Sequence, residues 1–223
     1  MFFTMQEDGS YLFTTAGYVL MAVVFVAVLV AAALLAKKAG SSKGPKKGLT
    51  AKQLAFCAIS IALGMVTSMI KLFSFPFGGS VTLLSMLFIC LPGYFYGPAT
   101  GLLTAAAYGI LQMIIDPYIL FPMQAIVDYL LAFGALGLSG FFANSKHGLI
   151  KGYVLGILGR YVFAVLSGWL FFGEYAWEGW GALPYSLAYN GAYIFTEAVV
   201  TVIILLIPAV SKALGQVKIQ ANS

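Results

Sequence analysis

Asp128 stands in a largely apolar run, Pro122 to Ala143, that is long enough to cross a bilayer. An ionised group at that depth costs roughly 2.5–3.5 kcal/mol on insertion scales, so a chain keeps one where it meets a cavity, a partner charge or a ligand. Two other ionisable groups lie well inside apolar spans, Arg160 and Glu197. Their opposite signs predict a structural ion pair. Asp128 differs because it falls within two turns of a helix end, is followed by Tyr129 and lies between aromatic-rich turns. It reads as a ligand contact. The segment Trp169 to Tyr193 adds Phe171, Phe172, Tyr175, Trp177, Trp180, Tyr185 and Tyr189. Interfacial belts account for many such rings. Tyr185 and Asn190, however, bracket the start of the last helix, and an asparagine offers donor and acceptor together, as a heteroaromatic amine requires. Stacked rings hold a flat cation by roughly 0.5–2 kcal/mol per good contact. With one acid, one amide, several phenols and no basic residue near the mouth except Lys71, the inventory suits a small flat cationic amine and not a free phosphate.

The chemistry that is missing narrows the reading. There is no HExxH, Walker A loop, GxSxG or metal-spaced Cys/His cluster. No metal, cofactor or enzymatic reaction is expected, and a self-contained ATP-driven pump is excluded. His147, the single histidine, falls in a turn between Lys146 and Gly148. Cys57 and Cys90 sit in apolar segments as reduced packing residues. The net charge of +5 comes from lysines at helix ends, where anionic lipid headgroups explain them, so no nucleic-acid partner is implied.

The elements that must position these residues are membrane helices. The chain is 61% hydrophobic and only 9% charged, with a mean hydropathy of +0.97; a soluble domain carries about 25% charged residues. Seven spans are predicted, over approximately 16–36, 51–72, 81–96, 98–115, 122–143, 150–172 and 187–211, with Gly and Pro at most junctions. The first lacks a basic start and is too long for a signal peptide, so it reads as a retained helix. The expected organisation is an N-terminal segment with that extra helix (1–36), a basic linker (37–50), a six-helix membrane domain (51–215) and a short tail (216–223). The lysines at 37–52, 146–151 and 212–218 all fall on one side of seven alternating spans, which makes that side cytoplasmic, the C-terminus internal and the N-terminus external. The turns at 73–80, 116–121 and 173–186 then face outward. Ala51 and Ala55, and again Ala58 and Ala62, stand four apart, a spacing that lets another helix approach closely.

Several segments carry a family resemblance in order: Gly78-Gly79-Ser80-Val81, Gln124 to Phe133 around Asp128-Tyr129, Ser167-Gly168 with Phe171-Phe172, and Tyr175-Ala176-Trp177-Glu178-Gly179 followed by Tyr185 to Gly191. Over residues 50–211 the chain resembles the thiamine-specific substrate-binding (S) components of energy-coupling factor transporters. The resemblance implies a six-helix vitamin-binding subunit in a bacterial plasma membrane. It also implies docking on a transmembrane coupling protein driven by two ATP-binding-cassette ATPases. In that pattern Asp128, Tyr185 and Asn190 serve the aminopyrimidine, Tyr129 lies toward the hydroxyethyl-thiazolium end, and Phe172 stacks on a ring. Tyr118 and Gln124 join them as candidates, and Ala58 and Ala62 form the docking surface.

The chain departs from the pattern at Ala164, where the family has histidine. Trp177 stands where proline is usual and Trp180 is atypical, so either ring is a candidate replacement. Other readings stay open here: an S component for a pyridoxine-type vitamin or pyrimidine precursor, a stand-alone transporter using Asp128 or Glu197 as proton carrier, and a membrane-assembly protein that binds no small molecule.

Overall fold

Thr50 and Gln53 begin the helical bundle with a reciprocal cap. Gln53 N–H donates to Thr50 Oγ1 at 3.2 Å and Thr50 N–H to Gln53 Oε1 at 3.0 Å, which satisfies two otherwise orphaned donors. The computed structural model describes residues 3–5, 11–17, 19, 23 and 49–223. The expected first span, 16–36, and the linker after it lie almost wholly outside these residues. A short antiparallel pair, β1 (Phe3–Met5) with β2 (Tyr11–Phe13), precedes them. From residue 51 onward the chain is helical: α1 (Ala51–Met69), α2 (Ser85–Tyr96), α3 (Pro98–Ile115), α4 (Pro122–Phe142), α5 (Gly148–Phe171), α6 (Ala182–Leu206) and α7 (Pro208–Asn222). Among the described residues five of these are long and apolar enough to cross a membrane; α2 is apolar but shorter.

Two of the expected spans are corrected. The span over 81–96 is shorter, because residues 71–82 form a hairpin, β3 (Lys71–Ser74) with β4 (Ser80–Thr82), and the backbone turns at Leu84 (φ 62°) before α2 begins. At about 1.5 Å per residue the twelve residues of α2 reach only about 18 Å, yet the segment still carries the chain from the hairpin to the opposite end of the bundle, where Phe95 O accepts from Asn222. It survives as the buried axis of the bundle: Ile89 and Cys90 are fully enclosed, with Leu136, Tyr108, Tyr153 and Ile194 around them. The span over 187–211 begins earlier, at Ala182, and stops at Leu206. Pro208 disfavours helical geometry at Ile207 (ψ 119°), so the chain bends and restarts as α7. That helix runs through the expected boundary between the membrane domain and the tail.

Small residues set the spacing of the central helices. A Cβ on Gly137 would lie 2.3 Å from Leu102 N, and one on Gly93 would lie 2.4 Å from Ser139 Oγ. Such contacts let α2, α3 and α4 pack backbone to backbone. At the opposite end from the hairpin, α7 folds back on the bundle through Val210, Leu214 and Val217. Lys218 reaches Ala143 O and lies 4.0 Å from the Tyr94 ring centre, and Asn222 donates to Phe95 O at 3.2 Å.

Candidate functional site

A cavity of about 160 Å³ lies among the hairpin and helices α1 to α6. Seven of the nine expected ligand residues line it: Tyr118, Gln124, Asp128, Tyr129, Phe172, Tyr185 and Asn190. Trp177 and Trp180 do not. They pack edge to face on one another with ring centres 5.0 Å apart, and Trp177 does the same on Tyr185 at 5.2 Å. They form the layer behind a cavity-wall tyrosine.

The acid is presented by an irregular stretch of α4. Residues Ile126–Ala132 are wound as a π-helix, a form that recurs at functional sites. The wider turn carries Gln124, Asp128, Tyr129, Ala132 and Phe133 to one cavity wall. Gly109 permits this on the neighbouring helix: a Cβ there would sit 1.8 Å from Tyr129 O. Gln124 Nε2 donates to Asp128 Oδ2 at 2.7 Å and to Tyr118 O at 3.0 Å, while Gln124 Oε1 accepts from Leu120 N at 2.9 Å. Tyr129 OH accepts from Tyr118 N at 2.7 Å and donates to Asp116 O at 3.1 Å. Both residues therefore hold the 116–121 rim while facing the cavity. Tyr118 in turn lies nearly parallel to Phe172, 19° between planes with centres 6.2 Å apart.

A stripe on α6 supplies the facing wall: Tyr185, Ser186, Tyr189, Asn190, Tyr193 and Glu197. Asn190 Nδ2 donates to Ser186 O at 3.0 Å and its Oδ1 accepts from Tyr193 OH at 2.8 Å. Tyr189 OH accepts from Gly79 N at 3.0 Å and donates to Pro76 O, so the hairpin closes onto α6. Gly168 lets α5 approach this stripe, since a Cβ there would lie 2.2 Å from Ser186 Oγ.

The expected Arg160–Glu197 ion pair does not form; among the described residues the one ion pair is Lys71–Asp116, at 2.9 Å and largely exposed. Glu197 instead accepts from Thr82 N (3.0 Å), Thr82 Oγ1 (2.6 Å) and Met86 N (3.1 Å). No side chain caps α2 at Leu84, and this carboxylate supplies the missing acceptors at the positive end of that helix. Arg160 lies over the Phe133 ring, 4.1 Å from its centre, and lines the cavity. Lys71 was the cation expected near the mouth; Arg160, expected in an ion pair, faces the cavity from the middle of α5. Sequence reasoning also missed Phe133, Ser167, Tyr189 and Tyr193 as wall residues. The signal was present as the spacing 160, 164, 167 on α5 and 185, 189, 193, 197 on α6, each one helix face. Ala164 lines the cavity too, so the expected histidine would have stood in its wall. Ala58 and Ala62 lie on the exposed side of α1, beside Ile59, Leu63 and Val66.

Residues 54–215 match the sequence model of the family described as thiamine transporter protein. The chain belongs to this family. The thiamine transporter ThiT of Bacillus subtilis (strain 168) is 33% identical over 162 residues, covering 66% of this chain and 83% of the relative. ThiT of Lacticaseibacillus paracasei is 29% identical over 126 residues, covering 47% of this chain and 63% of the relative. The solved structure of ThiT from Listeria monocytogenes superposes with a TM-score of 0.63 at 30% identity, over 73% of this chain and 96% of that one. As a member of the thiamine transporter protein family the chain is a transport protein and not an enzyme, and its apolar helices make it a multi-pass membrane protein. The family match covers nearly all of the bundle that walls the cavity, and it coincides with the resemblance drawn over residues 50–211.

Proposed function

We propose that the chain is the thiamine-binding S component of an ATP-driven uptake system. The observation that carries the reading is the walled cavity, in which a buried-edge carboxylate, an amide and parallel rings converge in a thiamine transporter family member. Asp128 supplies the anion for the aminopyrimidine or the thiazolium charge. Tyr118 and Phe172 supply ring faces, and Tyr185 and Asn190 supply the opposite wall. Trp177 acts from behind Tyr185 and Trp180 from behind Trp177. The alanine face of α1 is the surface for the coupling protein, with two ATP-binding-cassette ATPases beyond it. The protein sits in a bacterial plasma membrane with its C-terminus in the cytoplasm and the cavity toward the exterior, as the lysine distribution supports.

The rival of a stand-alone proton-coupled carrier loses one of its two candidate acids, because Glu197 is committed to the α2 terminus. Uptake of labelled thiamine into proteoliposomes separates the two readings. The chain alone should transport nothing, and addition of the coupling protein and ATPases should give ATP-dependent uptake. Uptake by the chain alone that collapses with the proton gradient would establish the rival.

A further inference from the structure

Serine and threonine inside a helix ordinarily return their hydroxyl to a backbone carbonyl one turn earlier. This chain follows the habit at Thr104, which donates to Thr100 O at 2.8 Å, and at Thr201, which donates to Glu197 O at 2.8 Å. Ser186 sends its hydroxyl across to Val165 O at 2.8 Å. Ser167 does neither. It is 1% exposed, its Oγ meets no group at full hydrogen-bond geometry although the Asp128 carboxyl lies beside it, and it lines the cavity. A buried hydroxyl oxygen whose lone pairs meet no donor costs free energy, so the group that donates to it is to be sought in what fills the cavity.

The surroundings say what that partner offers. Ser167 stands beside the Asp128 carboxyl, the acceptor within reach of its hydroxyl proton, and Asp128 Oδ2 is also engaged by Gln124, which leaves the Ser167 lone pairs for a ligand. One turn back on α5 the wall is only the methyl of Ala164, so space adjoins the hydroxyl. A carboxylate oxygen and a hydroxyl oxygen side by side present two acceptors at one spot. A primary amine on a flat ring presents two N–H donors in one plane and fits that pair.

We infer that Ser167 is a specificity-determining residue that, with Asp128, grips the exocyclic amino group of the ligand, one N–H to each oxygen. The inference rests on the thiamine reading and adds a contact to it. Ser167 selects for the amine, and not merely for a cation, because a hydroxyl contributes no charge.

The test is a two-by-two titration calorimetry series: wild type and Ser167→Ala, each with thiamine and with its 4′-deamino analogue, which lacks the amine. Thiamine affinity should fall about tenfold in the variant, the scale of one hydrogen bond to a charged or polar partner, while affinity for the deamino analogue stays unchanged. Ser167→Cys keeps the volume and should show the same pattern, which guards against a packing defect. Equal losses for both ligands, or no loss for either, would overturn the assignment. A wild type that binds neither ligand would overturn the thiamine reading itself, and the Ser167 contact with it.

Discussion

Asp128 and Arg160 bring opposite charges into one cavity, and each is held by a different device. Asp128 is fixed by Gln124, four residues back along α4, while Arg160 rests on the face of Phe133. An acid so held acts on a ligand with little reorganisation. Asp128→Asn should therefore weaken thiamine binding by at least about 1.5 kcal/mol, the lower end for a charged hydrogen bond. Folding should survive, because losing a buried charge relieves a desolvation cost. Calorimetry on the purified variant reads this directly, and unchanged affinity would remove Asp128 from the site. The role of Asp128 as a cavity residue was legible in the sequence because charge within an apolar run is rare. The fates of Arg160 and Glu197 were not. A pairing inferred from opposite signs ignores unsatisfied backbone donors, and the uncapped start of α2 becomes visible only once the turn at Leu84 is known.

From residue 51 onward the order of the first six helices was readable from apolar runs, whereas α7 and the departures from regular winding were not. The π-helical turn of α4 has no residue signature in Ile126 to Ala132. It lies where Gly109 lets α3 approach the backbone at Tyr129. The hairpin at 71–82 was hidden for a related reason: its strands are only three and four residues long, too short for an alternating pattern to stand out. That hairpin is joined to α6 by Tyr189, whose hydroxyl serves both Gly79 N and Pro76 O. Because that hydroxyl ties a cavity-lining segment to α6, Tyr189→Phe should leave the ring contacts in place and speed thiamine release. Stopped-flow dissociation should show a rate several-fold higher than wild type. An identical rate would assign the hydroxyl to local folding alone.

At the scale of the whole molecule, the cavity opens at one end of the bundle, while α1 turns a separate face outward along its length. Leu54, Ile59 and Val66 are each more than half exposed on that helix, with Ala58 and Ala62 between them. Close helix approach requires small side chains at the contact. Ala58→Trp or Ala62→Trp should block association with the coupling protein in a pull-down, with ligand binding by the isolated chain intact. Variants that transport at full rate would contradict the docking role, and variants that lose thiamine binding would make these alanines packing residues. The thiamine affinity of the chain itself is the central claim. Trp177 packs on Tyr185 at the cavity wall, so a ligand against that tyrosine alters its emission. Titrating the purified protein with thiamine, pyridoxine and an anionic vitamin while following tryptophan fluorescence should give saturable quenching with thiamine alone. Nanomolar affinity there corresponds to about −12 kcal/mol. No response and no calorimetric heat with thiamine, beside tight binding of pyridoxine or the anionic vitamin, would contradict the account.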